Sequence, residues 1–126
     1  MAAQVQRAGS PAGHFTLLPA TLHFDRRIAD FSLILAALFI LDIVSTHLIL
    51  WLGGIELNPA MAGIVTSPLI HTMVKAATLL LIITVSLIAE ANVKGSTIGF
   101  YAAIIALYIL VLVNNTIVLV PYVAGY

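Results

Sequence analysis

Three long apolar runs dominate the chain, Ile28 to Leu52, Leu69 to Ala89 and Ile98 to Val120, with polar residues gathered ahead of the first and between the rest. Each holds roughly 20 to 25 residues, and about 20 residues of helix cross a hydrocarbon core about 30 Å thick. A helix on a soluble protein keeps a polar face over that length; these runs are apolar all round. The pattern predicts an all-α membrane protein with three transmembrane helices. Residues 1–27 precede them as a flexible cytoplasmic or interfacial segment, and residues 28–126 form the transmembrane domain. Within the leading segment, Gly9, Pro11 and Gly13 break any helix. Phe15, Leu18 and Leu22 follow at i, i+3 and i+7, ahead of Arg26 and Arg27, so this stretch is either a surface-lying helix or a tail. It lacks the layout of a signal peptide.

The loop after the first run has its own punctuation. Gly53-Gly54 ends a helix, because glycine readily takes the left-handed conformation at a carboxyl cap. Asn58-Pro59 starts another: asparagine accepts the free N–H groups of a first turn, and proline suits the first helical position. Pro68 comes roughly two and a half turns on. Either Pro59 to Thr66 is a short helix of its own, or the second span starts early and kinks at Pro68. Glu56 lies beside that helix start and complements its partial positive charge. Asn58-Pro59-Ala60 is similar to the aquaporin signature, but it follows the first span and nothing in the chain repeats. Capping accounts for it without a water pore.

Composition agrees with the pattern. Of 126 residues, 62% are hydrophobic and 8% charged, against about 25% charged in a soluble domain. There are no cysteines, which excludes disulfides, thiolate metal sites and thiol nucleophiles. Net charge is zero and no basic stripe invites nucleic acid, so the partners expected are membrane lipids, a second copy of the chain or a larger membrane complex. No cofactor motif is present, and none is expected. Arg7, Arg26 and Arg27 precede the first span and Lys94 lies in the second loop, while the first loop carries no basic residue. The positive-inside rule then puts the amino terminus in the cytoplasm and the first loop and carboxyl terminus outside, in the plasma membrane. Trp51, Tyr122 and Tyr126 fall where interfacial aromatics sit.

Depth sorts the few polar groups inside the spans. At about 1.5 Å per residue, Asp42 lies about 15 Å below the outer end of the first span and His47 about 7 Å. Lys75 lies about 10 Å down the second span and His71 about 4 Å, while Asn114 and Asn115 lie about 8 to 9 Å down the third. Asp42 shares a face with Ser45 and Thr46, while His47 points away from it. Tyr101, Tyr108 and Asn115 recur at seven-residue spacing, and Gly99, Ala103 and Ala102, Ala106 are small-residue pairs that let a neighbouring helix approach. An unpaired charge at helix centre costs about 2.5 to 3.5 kcal/mol. At matched depth, Asp42 and Lys75 are expected to pair, with Thr46 bonding the carboxylate and Asn114 or Asn115 the ammonium. His47, His71 and Glu56 are candidate ligands for a divalent metal, although no HExxH or same-face i, i+4 pair supports one.

The arrangement LDxxxT, a glycine, ExNP and a lysine in the next span resembles a family of small archaeal and bacterial membrane proteins of unassigned function. Leu41, Asp42, Thr46, Gly54, Glu56, Asn58, Pro59 and Lys75 carry the resemblance. It implies a compact bundle of three or four helices and no established activity. Two functional classes follow from the residues. The preferred one is a non-enzymatic subunit or scaffold held by a buried Asp42–Lys75 centre. The other is a site for a cation or lipid headgroup formed by Asp42, His47, Glu56, His71 and Lys75. If that site were hydrolytic, Asp42 or Glu56 would serve as base and His47 or His71 as its acid–base partner.

Overall fold

Four helices make up the described part of the chain: α1 (Arg26–Trp51), α2 (Pro59–Ala62), α3 (Pro68–Asn92) and α4 (Ser96–Ala124). They come from a computed structural model that describes residues 24–125. The expected surface helix around Phe15, Leu18 and Leu22, and Tyr126, lie outside the described residues. Helices α1, α3 and α4 are each long and apolar enough to cross a membrane. Their ends depart little from expectation except at α4, which runs through Pro121 to Ala124 instead of stopping at Val120. A proline removes one N–H, and here it does so in the last turn, where the helix closes on Gly125 at φ +74°.

The first loop settles between its two alternatives. The separate short helix is the one found, but it covers Pro59–Ala62 and gives way to turns before Thr66; Ser67 caps α3, and Pro68 opens it. Helix α1 ends in a paired arrangement: Gly54 N–H donates to Ile49 C=O at 2.9 Å and Gly53 N–H to Leu50 C=O at 3.1 Å. This is the Schellman geometry, and it needs both glycines. Gly53 sits at φ +91°, and a Cβ on Gly54 would lie 2.9 Å from the Ile49 carbonyl oxygen. The second loop is closed from α3: the Glu90 carboxylate accepts Gly95 N–H at 2.8 Å and Thr97 N–H at 3.1 Å, satisfying free donors at the start of α4.

Helix α1 is the centre of the bundle, packing on α3 and more extensively on α4, which touch each other less. Its inward stripe reads Leu35, Phe39, Asp42, Ile49, the spacing of one helix face. Toward the second loop, Leu35, Phe39, Ile82 and Tyr101 form the core, and Ser32 Oγ and Tyr101 OH meet at 2.7 Å inside it. Large apolar residues such as Leu33, Ile40, Leu81 and Leu110 face outward, an arrangement suited to lipid and not to water. Gly99, Ala102, Ala103 and Ala106 are also exposed, so the small-residue faces are not used inside the chain.

Candidate functional site

Asp42 and His47 of α1, His71 and Lys75 of α3 and Asn115 of α4 meet at the end of the bundle that carries the first loop. Asp42, 5% exposed, is placed by the same α1 stripe that builds the core. Its Oδ2 lies 2.7 Å from Lys75 Nζ. The ammonium also donates to Tyr108 OH at 3.1 Å, and it sits 4.6 Å from the Tyr108 ring centroid and 5.2 Å from that of Phe39. A cation near ring faces gains from their quadrupoles, so Lys75 is held by an anion, a hydroxyl and two rings.

Asn115 binds the other side of the carboxylate. Its Nδ2 donates to Ser45 Oγ at 2.9 Å, to Asp42 Oδ1 at 3.4 Å and to Thr46 Oγ1 at 3.5 Å. This corrects two expectations. The asparagine of α4 serves the carboxylate and not the ammonium, because α4 packs chiefly on α1, where Asp42 resides. Thr46 meets that amide instead of bonding the carboxylate. Asn114, the other asparagine considered, is exposed and lines the cavity described below.

Above the pair lies an imidazole couple. His71 is 1% exposed, with Nδ1 3.4 Å from His47 Nε2. Its Nε2 has no hydrogen-bond partner and lies 3.9 Å from Asp42 Oδ2. His47 points away from Asp42 on α1 yet reaches α3, so the two histidines meet across the interface. Glu56 Oε1 accepts Asn58 N–H at 2.8 Å, and Asn58 Oδ1 accepts Ala60 N–H at 3.1 Å, so both organise the start of α2. With Glu56 turned to that task, no three His, Asp or Glu side chains gather to hold a metal ion among the described residues.

A cavity of about 390 Å³ covers this group. Asp42, Lys75, His71, Tyr108 and Asn115 line it from the helices, and Glu56 and Asn58 from the loop. Met61, Val65, Leu107 and Val111 give it an apolar side. A second cavity of about 240 Å³ shares Thr46, Glu56, Asn114 and Asn115 with it and continues to Tyr122. Sequence reasoning gave Tyr108 and Ser45 no role in the polar centre. The seven-residue recurrence of Tyr101, Tyr108 and Asn115 was the available signal for the first, and the shared face with Asp42 for the second.

Three membrane-length helices around a buried polar centre define a small helical membrane protein. Residues 33–121 match the family model described as Domain of unknown function (DUF5658), and the chain belongs to that family. The matched stretch takes in the first loop and the whole polar centre. No curated protein and no solved structure matches the chain.

Proposed function

We propose that the protein is a membrane-embedded binding protein whose polar centre receives a lipid headgroup bearing an ammonium. The supporting observation is that side chains from three helices and a loop line one open volume of about 390 Å³. A scaffold held by an internal ion pair needs no such space, because a pair that acts only as glue is best packed closed. Asp42 and Lys75 neutralise one another at 2.7 Å, which leaves Glu56 as the uncompensated charge at the wall and favours a cationic head. The apolar side formed by Leu107 and Val111 gives the lipid's glycerol region a place to leave toward the bilayer. With the amino terminus in the cytoplasm of a cell, the cavity belongs to the outer leaflet of the plasma membrane. Association with a second copy, through the unused small-residue face of α4, is compatible with this role.

The test is saturable binding of soluble headgroups, phosphoethanolamine against glycerol phosphate, to purified protein in nanodiscs. Phosphoethanolamine should bind and raise the melting temperature, and Glu56→Gln should weaken it about tenfold, the value of one charge-assisted hydrogen bond. Absence of saturable binding by either compound would return the protein to the scaffold class.

A further inference from the structure

The histidine couple has a polarity that the headgroup reading does not use. His71 sits between two different neighbours: His47 Nε2 faces its Nδ1 at 3.4 Å, and Asp42 Oδ2 faces its Nε2 at 3.9 Å. A neutral imidazole carries one hydrogen, and the nitrogen that holds it is set by its surroundings. A carboxylate beside Nε2 attracts that hydrogen and repels a lone pair. His71 is therefore the Nε2–H tautomer, its Nδ1 is an acceptor, and His47 must supply an Nε2–H to it. Both hydrogens then point the same way, from the first loop toward the pair.

We propose that His47 and His71 form a one-way proton relay that loads Asp42 from the first-loop end of the bundle and stores the proton there. A proton taken from water at His47 Nδ1 lets His47 pass its Nε2 hydrogen to His71 Nδ1. His71 in turn passes its own Nε2 hydrogen to Asp42 Oδ2. One proton enters and one O–H bond forms at Asp42, while both imidazoles end neutral with their hydrogens on Nδ1. The last gap, 3.9 Å, is longer than a hydrogen bond, so the hop needs a turn of the carboxyl or a bridging water from the adjoining cavity.

His47 of α1 meets the path through its contact with His71, and Asp42 from α1, Lys75 from α3, Tyr108 and Asn115 from α4 and Glu56 from the loop face it across the cavity. Beyond the pair the path stops. Phe39, Leu35 and Ile82 are buried there, and the Tyr101 hydroxyl is engaged with Ser32 at 2.7 Å. A loaded Asp42 is neutral, so it no longer holds the ammonium by charge and Lys75 is freed toward the cavity.

The experiment is nitrogen NMR of histidine-labelled full-length protein in nanodiscs, with His14 and His23 replaced by glutamine to leave the two signals of interest. At alkaline pH, with Asp42 unloaded, His71 should be the Nε2–H tautomer in the otherwise native centre, which needs no substitution within the relay. As the pH falls and Asp42 loads, both imidazoles should change tautomer together, from Nε2–H to Nδ1–H, and His47→Gln should abolish the change at His71. A His71 hydrogen on Nδ1 before loading, at alkaline pH, or a His71 switch that persists in His47→Gln, would overturn the relay. In vesicles loaded with a pH dye, the protein should add no steady proton flux; a flux lost in His71→Gln would overturn storage.

Discussion

The two ends of this bundle treat polar groups in opposite ways. Toward the second loop, Ser32 and Tyr101 satisfy one another at 2.7 Å, Ser86 Oγ donates to the Ile82 carbonyl at 2.7 Å, and Glu90 covers the start of α4. Apolar side chains fill the space between them. Toward the first loop the same three helices enclose a cavity and set a charged pair at its floor; each end holds one buried atom without a hydrogen-bond partner, Ser96 Oγ at the second-loop end and His71 Nε2 beside the cavity. Buried polar groups are almost always hydrogen-bonded, and the unpartnered His71 nitrogen is the one of the two that lines the cavity described above. One end is packed closed; the other keeps open volume beside its charges.

The contrast can be broken most sharply at the pair. Asp42→Leu or Lys75→Leu alone leaves a lone charge in the bundle and should lower stability by about 3 to 5 kcal/mol. The double replacement should recover much of that loss in a detergent-unfolding series, because it removes both charges together. Additive losses would mean the two do not act as a unit. A comparable but distinct effect is expected at the closed end: Leu35→Ala should cost about 2 to 5 kcal/mol through the space it opens, yet leave headgroup affinity unchanged. Smallest is Tyr101→Phe, which removes one interhelical hydrogen bond worth about 0.6 to 1.7 kcal/mol and should leave the tautomer of His71 unaltered.

Much of this is legible in the amino-acid sequence. Length and hydropathy fixed three helices, and depth along each brought Asp42, Lys75 and Asn115 to one level. Asn58-Pro59 and Gly53-Gly54 marked the ends of α2 and α1 through capping chemistry that acts within a few residues. What stayed hidden depends on how helices turn about each other. That Asn115 addresses the carboxylate and that His47 reaches His71 follow from α1 being the central helix, while Tyr108 braces the ammonium across the smaller α3–α4 contact. One chain's periodicity gives a residue's face but not the neighbour that face meets. The extension of α4 past Pro121 was missed for a simpler reason: a proline so near a helix end removes only one bond.

Access of water to the open end is the point on which binding and proton loading both rest, and the absence of cysteine makes it directly measurable. Single cysteines at Asn114 and Met61, which line the cavity, and at Leu35, in the closed core, would be treated with a membrane-impermeant thiol reagent in vesicles. Only a thiolate reacts, and a thiol kept from water does not ionise. The first two positions should label quickly and Leu35 not at all, with phosphoethanolamine slowing the cavity positions. Unreactive thiols at both Asn114 and Met61, in protein that remains folded, would contradict an open polar centre.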